Sequence, residues 1–260
     1  MDDTSTVEPA RSRFPAWSQL LLAAILVALV GGAFWLKSRP KPGISGAASQ
    51  SQEATGSLLA RGIQAHNAGS LDAAIDFYHK VLQREPAHPA AHYNIAQIYA
   101  HRAQWAEAQW EYEAALKGDP KFRDARLNLG VVLYRQRQFA PAVQAFRQVL
   151  EASPNHPLAL YDLGLTLVEL GQADEAVRVL TAALREDPKR TDIHYNLGLA
   201  LERQRRFREA KAELLKWLEI SPNHADGYVA LARVYMAQGE KNLSLQALAK
   251  AVQLNPSLKK

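Results

Sequence analysis

Proline falls at Pro86, Pro120, Pro154, Pro188, Pro222 and Pro256, each 34 residues after the last. A fixed period of this length is the mark of a repeat architecture, so it constrains the fold more than any other feature of the chain. Counting back from the prolines divides the chain into six units: 55–88, 89–122, 123–156, 157–190, 191–224 and 225–258. The other positions keep the same clock. Position eight is small (Gly62, Ala96, Gly130, Gly164, Gly198, Ala232), and so is position twenty (Ala74, Ala108, Ala142, Ala176, Ala210, Ser244). Position twenty-four is large: Tyr78, Tyr112, Phe146, Leu180, Leu214, Leu248.

Apolar residues between these positions follow helical spacing, as in Leu160, Leu163 and Leu167, so each unit is predicted to form two helices. Two short antiparallel helices approach closely where small residues meet, and the large residue at twenty-four fills the space beside them. Proline disfavours helical geometry in the residue before it, which stops the second helix. One such hairpin cannot bury its apolar face alone; stacked neighbours share a continuous core.

This pattern resembles the tetratricopeptide repeat family, over residues 55–258. The resemblance implies an all-α, right-handed superhelical solenoid of six helix hairpins, whose first helices line a concave groove. It implies binding of peptides or partner subunits, while the fold itself prescribes no partner.

The first 54 residues are of another kind. Residues 1–15 read as a short tail, 16–37 as a transmembrane helix and 38–54 as a flexible linker rich in Ser, Gly, Ala and Pro. Leu20 to Leu36 is uncharged and long enough to span, and Trp17 and Trp35 sit near its two ends, about 27 Å apart in a helix. A cleaved signal peptide is the competing reading. Its best small-residue site, around Ser45-Gly46-Ala47, lies past Lys37, Arg39, Lys41 and two prolines, far from the apolar core. Orientation cues oppose each other. The basic residues after the span favour a cytoplasmic domain, whereas a short tail, one anchor and a soluble domain is a common plan for bacterial envelope proteins. The expectation adopted is a single-pass protein of the bacterial inner membrane with its repeats on the periplasmic side.

Composition narrows the function. Of 31 basic and 26 acidic residues, five and four precede residue 55, which leaves the repeats a net charge of +4. That is too even for nucleic-acid binding, which needs a concentrated basic face. Arg203, Arg205, Arg206 and Arg208 form the densest cluster, read first as a solvated turn and otherwise as a contact for anionic lipid or an acidic partner. With no cysteine there is no disulfide, thiolate metal site or thiol nucleophile. His88, His156 and His224 close their repeats and His92 and His194 share position four, so these histidines read as structural. No phosphate loop, nucleophile elbow or zinc-protease helix occurs, and the expectation is no catalytic residue, metal, cofactor or small-molecule substrate.

The resemblance places the groove at positions two, five, six, nine, twelve and thirteen. Position six reads Asn94, Asn128, Asp162, Asn196, a ladder able to pair with both groups of a peptide unit. Around it stand Tyr93, Val131, Tyr161, Leu165, Tyr195 and Leu199, either an exposed apolar strip or residues that pack between neighbouring helices. The expected function is a membrane-tethered scaffold or assembly factor binding polypeptide segments in this groove. A permanent subunit of a membrane complex and a regulatory partner of an enzyme are the alternatives. The second helix of repeat six, around Leu243 to Leu254, is expected to expose apolar surface to a partner or a second copy.

Overall fold

The computed structural model describes residues 55–259; the tail, the candidate span 16–37 and the linker lie outside the described residues. Among the described residues no helix is long and apolar enough to cross a membrane. Residues Glu53–Lys260 form one compact unit.

The unit consists of twelve α-helices in six hairpins, with no strand among the described residues. The first helices are α1 (Thr55–Asn67), α3 (Pro89–His101), α5 (Arg123–Arg135), α7 (Pro157–Glu169), α9 (Asp192–Arg203) and α11 (Ala225–Ala237). The second helices are α2 (Leu71–Arg84), α4 (Trp105–Gly118), α6 (Phe139–Ala152), α8 (Ala173–Glu186), α10 (Phe207–Ile220) and α12 (Lys241–Leu254). A 3-10 turn, Pro256–Lys259, follows. Repeat five alone begins its helix one residue late, at Asp192.

Position eight sits against position twenty-four. A methyl group built on Gly130 would lie 2.5 Å from the Phe146 ring, and one on Gly164 would lie 2.5 Å from Leu180. The missing side chain is what lets the large residue cross the hairpin. Tyr78, Tyr112, Phe146, Leu180 and Leu214 are accordingly buried, at 0–2% exposure. Leu248 of repeat six is the exception at 39%, with Leu245 at 62%, so α12 does present the expected apolar face.

Successive repeats meet through positions three, seven and ten of the first helix. Position three is buried in repeats two to six (Ala91, Ala125, Ala159, Ile193, Gly227), and so is position ten (Ile98, Val132, Thr166, Ala200, Val234). Repeat one carries Ser57, Arg61 and Gln64 at these three positions, all exposed. Its outward face is therefore polar and needs no preceding hairpin to cover it.

The turn inside every hairpin is also constant. Position fifteen has a positive φ in all six repeats: Gly69, Ala103, Arg137, Gly171, Arg205 and Gly239. The next N–H reaches back five residues (Ser70 to Ala65, Gln138 to Leu133, Arg206 to Leu201), closing the first helix with a Schellman motif. Between repeats, His88 and His156 accept the N–H of Ala91 and Ala159 through Nδ1 at 3.3 Å and cap α3 and α7. His224 occupies the same place without a side-chain cap.

His92 and His194 brace their hairpins. His92 Nδ1 donates to Glu111 Oε2 at 2.6 Å and Nε2 to the Pro86 carbonyl at 2.9 Å, with both side chains buried. Two acceptors on one ring call for the imidazolium. Burial pulls His92 towards neutrality, but its hydrogen bonds to Glu111 and Pro86 and the charge of Glu111 outweigh it and raise its pKa. His194 and Glu213 form the same 2.6 Å contact in repeat five.

The left-handed conformation strains any residue with a Cβ by about 1–2 kcal/mol, part of which glycine returns as unfolded-chain entropy. Ala103→Gly, Arg137→Gly and Arg205→Gly should therefore each stabilise the protein by about 0.5–1 kcal/mol. Urea unfolding reads this directly, and a loss of stability at Arg137 or Arg205 would mean that the arginine side chain outweighs the strain.

Candidate functional site: the inner face of the first helices

First helices of successive repeats approach one another (α5 with α7, α7 with α9, α9 with α11), whereas the second helices do so less closely. The array therefore curves towards its first helices, and positions five, six, nine, twelve and thirteen of those helices face the inside of the curve.

On that face the asparagine ladder is partly engaged within the protein. Asn128 Nδ2 donates to the Tyr93 hydroxyl at 3.3 Å, and Asn196 Nδ2 donates to the Tyr161 hydroxyl at 3.3 Å and the Asp192 carbonyl at 3.0 Å. Each bond to a tyrosine joins position five of one repeat to position six of the next. Position five before Asn94 is Leu59, and before Asp162 it is Leu127, so neither finds a hydroxyl. Neither side chain has a hydrogen bond among the described residues.

The apolar residues expected on this face pack between helices. Val131, Leu165, Tyr195 and Leu199 are half-buried against the core, and Tyr161 is buried. The Tyr93 ring lies 4.8 Å from Phe122, and the Tyr195 ring 4.6 Å from Trp217. These residues pack against neighbouring helices and also line openings on this face, Val131, Tyr161 and Leu165 in one and Tyr195 and Leu199 in another. Position thirteen is exposed in every repeat, as Asn67, His101, Arg135, Glu169, Arg203 and Ala237. Glu202 and Arg233 form a two-pronged ion pair there at 2.7 and 2.8 Å.

The middle of the curve holds a cavity of about 280 Å³ between repeats three, four and five. Asp162 and Leu165 rise from α7, Tyr134 and Arg135 from α5, while Arg190 closes repeat four and Asp192 opens α9 of repeat five. The Arg190 guanidinium lies 3.9 Å over the Tyr161 ring. Its Nε is 3.2 Å from Asp192 Oδ1, in a geometry that leaves the buried Nε–H without a hydrogen bond. Burial, helped by the charge of Asp192, raises the Asp162 pKa to about 6 against the opposing pull of Arg190 and Arg135.

Asp162 was legible as a groove residue from its position in the repeat. Arg135 and Arg190 were not singled out. The available signal was Arg190 itself, which stands where other repeats place His88, Phe122, His156 and His224.

With this geometry in view the class is clear: a curved α-solenoid of helix hairpins with a side-chain-lined inner face. Tetratricopeptide repeat models match residues 102–157 and 161–225, 65–110 and 133–182, and 225–258. Together they span 65–258, and the chain belongs to the tetratricopeptide repeat family. Among solved structures it is similar to YrrB, described as a TPR protein with an unusual peptide-binding site (24% identity, 77% of this chain and 95% of that one, TM-score 0.63). It is also similar to MamA from Desulfovibrio magneticus (22%, 66% and 97%, TM-score 0.61) and to pilF from Pseudomonas aeruginosa (18%, 78% and 93%, TM-score 0.63). These identities establish the shared fold. No curated protein matches the chain.

A carboxyl whose folded pKa is raised from 3.8 to about 6 favours folding fully below 3.8, and that contribution is lost as pH rises through 6. Asp162→Asn should therefore stabilise the protein by about 2 kcal/mol at pH 7.5 and by almost nothing at pH 4. Thermal melts of the two proteins across that range check the sign.

Proposed function

We propose that this chain is a membrane-tethered scaffold that holds a polypeptide segment of another protein along its inner face, across repeats two to five, without catalysing a reaction. The carrying observation is the contrast on that face. Asn128 and Asn196 find partners within the chain, while Asn94 and the Asp162 carboxylate stand half-buried with none among the described residues. A half-buried acceptor without a partner costs stability, and a bound peptide N–H repays it. The peptide-binding site named for YrrB lends the reading support by analogy of fold.

Tethering rests on the Leu20–Leu36 run and the tryptophans near its two ends. The periplasmic placement rests on the domain order alone. The exposed leucines of α12 offer a second contact for partners.

Cross-linked recovery from detergent-solubilised membranes, read by mass spectrometry, identifies the client, and calorimetry then measures its affinity. Asn94→Ala should weaken binding about two- to ten-fold with the melting temperature unchanged. Asn128→Ala instead removes a bond to Tyr93 and should cost about 1 kcal/mol of stability as well. A client that ignores Asn94 binds another face. Separately, a carbonate wash should leave the full chain in the membrane pellet, and its release into the soluble fraction would refute the tether.

A further inference from the structure

The central cavity has a charge pattern that points to one kind of ligand group. Two guanidinium groups (Arg135, Arg190) and two carboxylates (Asp162, Asp192) surround it, so an added cation is repelled by one pair and an added anion by the other. Arg190 and Asp192 are already paired with each other. Among the described residues, that leaves Asp162 as an acceptor without a donor and the exposed Arg135 as a donor without an ion pair, on α7 and α5 respectively. A neutral group that offers a donor and an acceptor side by side satisfies both. Among polypeptide groups a carboxamide does this in one planar unit, its NH₂ donating and its carbonyl oxygen accepting. The cavity is several times the roughly 30 Å³ that one water molecule occupies, which leaves room for a side chain rather than a solvent molecule alone. Leu165 and the rings of Tyr134 and Tyr161 supply apolar walls for the methylenes.

We infer that this cavity is a specificity subsite that takes the carboxamide side chain of a glutamine or asparagine from the bound polypeptide, Asp162 accepting from its NH₂ and Arg135 donating to its oxygen. The inference rests on the peptide-holding role proposed above and adds which side chain the centre of the groove selects. The groups that set the charge of Asp162 are Arg135 on α5, Asp192 on α9 and Arg190 between α8 and α9. The Tyr134 and Tyr161 hydroxyls stay neutral in the relevant range, because burial raises both. An ionised Asp162 is the stronger acceptor, so affinity rises with pH through about 6 and levels off above it.

The test uses N-acetyl-L-glutamine N-methylamide as the probe against the full 260-residue chain, with binding followed by saturation-transfer NMR. The leucine and lysine analogues serve as an apolar and a cationic control. The glutamine probe should bind in the millimolar range, about tenfold more tightly than the leucine probe, with the lysine probe no better than leucine. Its affinity should fall several-fold from pH 7.5 to pH 5. Asp162→Asn, a change expected to stabilise the fold, should abolish that pH dependence and weaken binding several-fold, and Arg135→Ala should weaken it similarly. Equal binding of leucine and glutamine probes, tighter binding of lysine, or an Asp162→Asn protein with unchanged affinity and pH profile would each overturn the inference. The small probe needs no client along the ladder, so probe binding that survives while the client ignores Asn94 separates failure of the groove reading from failure of the subsite.

Discussion

Each hairpin depends on one steric condition: position eight must leave room for the side chain at position twenty-four. Where it does, a tyrosine, phenylalanine or leucine crosses between the two helices and is lost to solvent, as Tyr78, Phe146 and Leu180 are. Full burial of such a side chain is worth about 1.5–3 kcal/mol, too little to fix a 34-residue hairpin against its conformational entropy. The second condition is therefore stacking. Positions three and ten of the next repeat close over each hairpin with Ala, Val, Ile, Thr or Gly, small enough to bring the helices together. Folding energy in such an array resides in the interfaces between repeats as much as within them.

The turn at position fifteen shows how much local strain that cooperative stack tolerates. The Schellman closure requires a left-handed residue, and three repeats supply glycine while Ala103, Arg137 and Arg205 adopt the same φ of 55–61°. A turn with the wrong residue persists because the two helices it joins pack against each other and against the adjoining repeats. Arg137 also lies over the ring of Phe139 at 5.7 Å, a contact that offsets part of the strain.

The fold was legible because its determinants are positional. The prolines, the small residues at eight and twenty and the large one at twenty-four set the repeat boundaries, and α1, α3, α5 and α7 start at the first residue of their units. Repeat five departs by one residue at Thr191, beside the Arg190 that replaces the usual histidine or phenylalanine. The groove was legible as a set of positions but not as a set of contacts. Tyr93 to Asn128 and Tyr161 to Asn196 are each 35 residues apart, and no rule of spacing within one helix relates them. The same holds for His92 with Glu111, 19 residues apart across a hairpin. Sequence could name the histidines as structural, while only packing shows that His92 and His194 brace two helices through Glu111 and Glu213.

A repeat makes chemical neighbours of residues about 34 positions apart, so a substitution in one unit acquires meaning from what the adjoining units place beside it. Asparagine at position six after a tyrosine at position five, as at 128 and 196, completes an internal bond and is absorbed by the stack. Asp162 follows Leu127, and so the carboxylate is left facing the groove with neither hydroxyl nor amide to meet it. Arg190 departs from the pattern two turns of chain away and arrives on the Tyr161 ring, next to that same carboxylate. Asp162 alone would place an unpaired charge on a half-buried surface at a cost of some kcal/mol, and the nearby Arg190 and Arg135 offset part of it. Together they hold opposite charges around one opening without neutralising it, since Arg190 is committed to Asp192 and Asp162 to nothing. The regular positions of this chain explain why it folds, and the place where three consecutive repeats break the pattern together is where it has a group left to offer another molecule.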